Sequence, residues 1–185
     1  MRIISGIFKG KKIILPQDKN TRPLKDLTKE SIFNIIKHSN KFVIQLDNSY
    51  ILDLFSGVGS FGIECLSREA KFVTFVENYS NALSILERNL NNLKIKNYEI
   101  LKFDIISAFN KVKFNKQYNI IFLDPPYKAK NITKIINEIL NSKILIDDGL
   151  VIIHRHKKES DKYPEEFKIL DIKEYGVSKI IFGTF

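Results

Sequence analysis

The feature that most restricts this fold is a run of wholly apolar strands alternating with amphipathic helices from Tyr50 onward. Ile51-Leu52-Asp53-Leu54-Phe55 reads as a buried strand, followed by a glycine-rich turn and a short helix. Phe72-Val73-Thr74-Phe75-Val76 reads as a second strand. Leu83, Leu86, Leu90 and Leu93 then recur at steps of three and four, which marks one face of a helix. Tyr98 to Leu101, Ile120 to Leu123 and Leu150 to Ile153 supply further strands. Ile132, Ile135, Ile136 and Ile139 mark another helix, and the tail from Phe167 to Phe185 alternates enough for two more strands around Gly176. Continuously apolar strands must be covered on both faces, so the pattern predicts a mostly parallel α/β sheet with helices on both sides.

Ahead of that pattern lies a segment of different character. Arg2 to Ile4 and Lys12 to Leu15 flank Gly6 and Gly10 and suggest a hairpin. A polar stretch follows, with Pro23 near the start of a helix whose buried side is Ile32, Phe33, Ile35 and Ile36. The reading is a small extension over residues 1–48 and one compact unit over residues 49–185.

The loop after the first strand, Asp53-Leu54-Phe55-Ser56-Gly57-Val58-Gly59-Ser60-Phe61-Gly62, carries G-x-G-x-x-G. Glycines allow a tight turn and let a ligand touch the backbone, and the following helix offers free N–H groups to an anionic group. A carboxylate at Asp53 would repel a pyrophosphate but suits the amino acid moiety of S-adenosyl-L-methionine. Glu77 ends the second strand, where a carboxylate can bind ribose hydroxyls, and Asp104 follows the third, within expected reach of an adenine amino group. Asp53, Phe55, Gly57, Gly59, Glu77 and Asp104 are therefore the candidate cofactor-binding residues.

Asp124-Pro125-Pro126-Tyr127 directly follows the fourth strand, on the edge where open parallel sheets bind ligands. A base amino group is a poor nucleophile because its lone pair is delocalised into the ring. Asp124 can accept one N–H and the Pro125 carbonyl the other, favouring the developing positive nitrogen. Prolines fix the carbonyl direction, and Tyr127 offers a face for stacking the base. Asp124, Pro125 and Tyr127 are the candidate catalytic residues. The target base must leave its stack to enter, which is easiest in single-stranded or loop RNA.

At these residues the chain resembles the bacterial methyltransferases that modify the N2 amine of one guanine in small-subunit (16S) ribosomal RNA. Besides Asp-Pro-Pro-Tyr, the resemblance lies in Arg2-Ile3-Ile4-Ser5-Gly6 with Lys9-Gly10-Lys11-Lys12, and in Arg22-Pro23 with Lys29-Glu30-Ser31-Ile32-Phe33-Asn34. It continues through Leu52 to Gly57, Leu66-Ser67-Arg68 and Tyr175-Gly176, nearly the whole chain. It implies a Rossmann-like class I methyltransferase fold with a seven-stranded sheet whose last strand inserts antiparallel. It also implies an N-terminal hairpin and Arg22 region that face the RNA or cover the cofactor. Ser5 stands where a glycine is expected, Leu24 where a threonine-like residue is expected, and His154-Arg155-His156 where an acidic residue is expected.

Charge agrees with a nucleic-acid partner. Thirty Lys and Arg against 21 Asp and Glu give a formal net charge of +9. Arg2, Lys9, Lys11, Lys12, Lys19, Arg22 and Lys25 form the densest cationic stretch, suited to phosphate contacts rather than base reading. Arg2, Lys9, Lys11, Arg22 and Arg155 are the candidate RNA-binding residues, with His154-Arg155-His156 read as a rim of cations near the RNA. No convergent Cys or Asp/Glu spacing accompanies the histidines, so no metal site is expected. The single Cys65 excludes an intrachain disulfide. No signal peptide or membrane-spanning stretch is seen, and a cytoplasmic monomer acting on ribosomal RNA in a 30S particle or assembly intermediate is expected.

Rival readings remain. DNA adenine or cytosine amino-methyltransferases and protein glutamine methyltransferases share such motifs. The former usually need a larger recognition region, and the latter favour Asn where Asp124 stands. A nicotinamide oxidoreductase leaves Asp-Pro-Pro-Tyr unexplained. A non-catalytic RNA-binding assembly factor would have no use for an intact cofactor loop.

Overall fold

The computed structural model describes residues 1–16, 24–112, 114–126 and 129–185. Seven strands form one sheet in the order β3-β2-β1-β4-β5-β7-β6. They are β1 (Tyr50–Leu54), β2 (Phe72–Val76), β3 (Tyr98–Leu101), β4 (Tyr118–Leu123), β5 (Leu145–His156), β6 (Lys168–Tyr175) and β7 (Ser178–Thr184). The first five run parallel, and β7 lies antiparallel between β5 and β6. This is the topology the sequence pattern and the resemblance anticipate.

The sheet is buried on both faces because its strands carry apolar side chains in both directions. Ile51, Val73, Phe75, Ile120, Phe122 and Ile152 pack on one face against α1 (Asp26–His38), α2 (Ser60–Ser67) and α3 (Ser80–Asn92). Leu52, Leu54, Val76, Ile121, Leu123 and Ile153 pack on the other against α4 (Ile105–Lys111) and α5 (Ile132–Ser142). Period-two alternation sends neighbouring residues to opposite cores, so no strand position between 51 and 54 is left to solvent. Phe61 of α2 stacks between Phe33 of α1 and Phe122 of β4, at centroid distances of 5.2 and 3.9 Å, tying the N-terminal helix to the sheet.

Three local expectations change. The N-terminal hairpin is reduced to one antiparallel bridge between Arg2 and Lys12, because its backbone donors turn to α2 and α3 as well as to each other. Glu64 of α2 accepts the Ile4 and Ser5 N–H groups at 2.8 and 2.9 Å, while Asn89 of α3 accepts the Ile14 N–H at 2.8 Å. Gly6 lies against Ser67, where an added Cβ would fall inside the Ser67 carbonyl. The strand read at Leu150–Ile153 extends over Leu145–His156. The short helix α4 was not anticipated, since its seven residues are too few to display a period. Its start is fixed by Asp104. The first helix begins at Asp26, and Pro23 lies outside the described residues.

Beneath the N-terminal segment, Lys29 and Glu64 are both fully buried and lie 3.5 Å apart. Lys29 Nζ also donates to the Arg2 carbonyl at 3.0 Å, and Arg68 Nε to Glu64 at 3.0 Å. Burial pulls the Lys29 ammonium below its usual range, and Glu64 opposes that pull. The basic N-terminus is thus docked on the core through buried charges. Among the described residues, no helix is long and apolar enough to cross a membrane.

Candidate active site

The strand order reverses between β1 and β4, and doubly wound sheets bind ligands outside the carboxyl ends of the strands at that point. The glycine loop leaves β1 there, Glu77 follows β2, and Asp124 follows β4. The Asp124 N–H donates to the Leu54 carbonyl at 3.3 Å, which fixes the start of Asp-Pro-Pro beside the end of β1.

The loop turns through left-handed backbone at Phe55 (φ 60°), Gly57 (φ 54°) and Gly59 (φ 83°). Phe55, the non-glycine among them, is held in a conformation that aromatic residues rarely adopt. The Ser56 N–H donates to Val76 O at 3.1 Å and the Gly59 N–H to Ser56 O at 2.8 Å, closing the loop on itself and on β2. Gly62 serves packing: a Cβ there would enter the ring of Phe75, so glycine lets α2 lie directly on β2.

Two carboxylates brace the loop. Asp53, 1% exposed, accepts the Gly62 N–H at 3.0 Å across the turn. Its carboxyl is pushed well above the ordinary range, first by burial and further by the charges of Asp124 and Glu77, against the Gly62 hydrogen bond. Glu77 accepts the Gly57 N–H at 2.7 Å and those of Asn78 and Tyr79 at 2.9 Å each. Asp53, Glu77 and Asp124 thus gather three carboxyl groups at one edge of the sheet. That arrangement disfavours a phosphate and suits a ligand carrying positive charge. S-adenosyl-L-methionine, with a sulfonium and an ammonium, fits this donor set; Asp53 and Glu77 with the loop around Gly57 would hold it.

Asp104 is exposed and caps α4 by accepting the Ser107 N–H at 3.0 Å. Hydrogen bonding from Ser107 draws its carboxyl below the ordinary range. The structure gives it this capping task, so an adenine contact would rest on its other oxygen.

At the transfer end, Asp124 is about one-fifth exposed, and Oδ1 lies 2.7 Å from Nδ1 of His154. Nε2 of His154 lies 2.9 Å from Ser178 Oγ. Tyr127 lies outside the described residues, as do Lys19 and Arg22. The Arg155 assignment is corrected. Its side chain is fully buried, with Nε and Nη2 on Asp161 at 2.7 and 2.9 Å and Nη2 also donating to the Ala129 carbonyl at 3.0 Å. A buried guanidinium forked onto a carboxylate is not offered to phosphate. The rim of cations is therefore absent at 154 and 155, where both side chains point inward, and His156 is partly exposed. Arg2, Lys9, Lys11 and Lys12 are exposed on the docked N-terminal segment.

The N-terminal segment also reaches the glycine loop. Asn89 Nδ2 donates to the carbonyls of Ile14 at 3.1 Å and Val58 at 3.2 Å, so one buried amide joins both. Nothing in the sequence around Asn89 announces this, because the partners lie 75 and 31 residues away.

The fold and the carboxylates at its switch point define a Rossmann-like class I methyltransferase. A family model described as Conserved hypothetical protein 95 matches residues 1–184. Ribosomal RNA small subunit methyltransferase D of Buchnera aphidicola subsp. Acyrthosiphon pisum (strain APS) is 35% identical over 167 residues, spanning 90% of this chain and 84% of its own. The chain belongs to that methyltransferase family. The solved structure of the Escherichia coli protein yhhF shares the fold with a TM-score of 0.84 and 24% identity, over 99% of this chain and 96% of its own. The crystal structure of SMU.776, a putative methyltransferase complexed with SAH, shares it with a TM-score of 0.67 and 18% identity, over 85% of this chain and 50% of its own.

Proposed function

We propose that the protein transfers a methyl group from S-adenosyl-L-methionine to the exocyclic N2 amine of a guanine in small-subunit ribosomal RNA. The observation that carries this reading is the gathering of Asp53, Glu77 and Asp124 with the glycine loop at the switch point, with Asp-Pro-Pro at the β4 end. The name of the Buchnera relative supports the RNA substrate, and the exposed cations of the N-terminal segment suit its phosphates.

The cofactor supplies a methyl group on a positively charged sulfur. The chain supplies position and electrostatics. Asp53 and Glu77 favour the cationic ligand, while the glycine loop lets it approach backbone. Asp124 accepts one hydrogen of the amine and the Pro125 carbonyl the other, turning the nitrogen lone pair toward the methyl. As positive charge develops on nitrogen these two hydrogen bonds strengthen, which lowers the barrier. The alkylated nitrogen is acidic, so Asp124 can take its proton without being a strong base. Tyr127 would stack the extruded base. The protein acts as a cytoplasmic monomer on RNA within a 30S particle or assembly intermediate.

Radiolabelled methyl transfer onto small-subunit RNA and 30S particles lacking the modification, followed by nucleoside identification, tests the reading. N2-methylguanosine is the expected product. Label in N6-methyladenosine, or in protein alone, would overturn the substrate assignment.

A further inference from the structure

The His154-Arg155 dipeptide lies near the end of β5 beside Asp-Pro-Pro, and the register explains its contacts. Leu123 of β4 pairs with Ile153 of β5, so the next residues, Asp124 and His154, stand side by side. His154, 2% exposed, meets the Asp124 carboxylate at 2.7 Å. A carboxylate only accepts, so Nδ1 carries the proton and Nε2 can accept from the Ser178 hydroxyl at 2.9 Å. Ser178 opens β7 and is buried, which anchors the ring from the far side.

Arg155, the next residue, points to the opposite face of the sheet. Its guanidinium donates to the carbonyls of Ala129 at 3.0 Å and Pro126 at 3.4 Å, while Asp161 holds it from the other side. Pro126 O also accepts the Ala129 N–H at 2.8 Å, so Arg155 grips a carbonyl already tied to Ala129.

We propose that His154 and Arg155 are positioning residues for methyl transfer, holding the Asp124 carboxylate and the Pro126 and Ala129 carbonyls from two sides. The inference rests on the role given to Asp124 above. With Oδ1 taken by His154, the carboxylate cannot rotate freely, and Oδ2 is left to receive the amine. Arg155 sets the backbone on which the Pro125 carbonyl is aimed. Misplacing a reacting group by about 1 Å can cost about 100-fold in rate.

The test compares the wild-type protein with His154→Ala, His154→Asn and Arg155→Lys in steady-state methyl transfer. An asparagine amide nitrogen occupies roughly the place of Nδ1 and can still donate to Asp124. His154→Ala is expected to lower kcat about 100-fold with an unchanged KM for S-adenosyl-L-methionine, and His154→Asn to recover at least about 10-fold of that loss. Arg155→Lys keeps the charge but loses the fork, and should lower kcat about 10-fold. Wild-type kcat in His154→Ala, or equal losses in the Ala and Asn variants, would overturn the positioning role. Nitrogen-15 NMR of the His154 ring reads the pair without any substrate. A proton on Nδ1 that is lost in Asp124→Ala supports it, and a proton on Nε2 alone overturns it. Failure of the wild-type protein to methylate RNA would instead overturn the functional reading, leaving the ring measurement to decide the pair.

Discussion

The two halves of the site hold their carboxylates by different means. On the cofactor side, Asp53 and Glu77 are held by main-chain N–H groups, from Gly62 in one case and from Gly57, Asn78 and Tyr79 in the other. On the transfer side, Asp124 is held by a side chain from another strand, backed by a third. Main-chain donors come with the shape of the loop, so that half is specified by glycine spacing. The side-chain clamp is specified by strand register, and any substitution at 154 acts on it directly. The first arrangement would serve, in the proposed mechanism, binding of a ligand whose charge is already formed. The second would serve, in the proposed mechanism, a charge that appears only as the nitrogen is alkylated, where orientation decides the rate.

If the halves divide binding from transfer, lesions should separate the two quantities. The largest effect is expected from Asp124→Ala, which should reduce methyl transfer at least about 1,000-fold while changing the calorimetric Kd for S-adenosyl-L-methionine only a few-fold. A parallel loss of binding would erase the division. Glu77→Ala should do the reverse, weakening the cofactor about 100-fold while turnover at saturating cofactor stays within a few-fold of wild type.

Asp53→Asn sharpens the comparison through pH. The folded Asp53 carboxyl titrates above its ordinary range. Its stabilising contribution is therefore complete below the unfolded value and is lost as pH rises through the folded one. Above that window Asp53→Asn should be the more stable protein in chemical denaturation, since the amide oxygen still accepts from Gly62 without a buried charge. A cationic ligand favours the ionised form, so wild-type binding should tighten with pH and release protons. The variant should bind about 10-fold more weakly at high pH, with the pH dependence flattened, as calorimetry in buffers of different ionisation enthalpy would read. The smallest effect is expected from Gly62→Ala, where crowding against Phe75 should cost about 1–3 kcal/mol of stability in a thermal melt.

Legibility in the sequence follows the same split. The strands, the longer helices and the mostly parallel sheet were readable because each apolar strand and the stripes at Leu83–Leu93 and Ile132–Ile139 announce their own period. The glycine loop and Asp-Pro-Pro were readable because they are contiguous. Helix α4 was too short to show a period, so the capping role of Asp104 was hidden. His154 and Arg155 looked like surface cations, since nothing nearby in sequence says that Asp124 is 30 residues away on the adjacent strand or that Asp161 folds back onto the guanidinium. Lys29 was likewise hidden, because its partner Glu64 sits on another helix.

The most direct test is a structure of the protein with S-adenosylhomocysteine bound. The ligand is expected at the ends of β1 and β2, its ribose on Glu77 and its amino group near Asp53. Its sulfur should face Asp124 Oδ2 across a space that fits a planar base. A ligand bound elsewhere, or an Asp124 carboxylate turned from the sulfur with that space filled, would contradict the proposed mechanism.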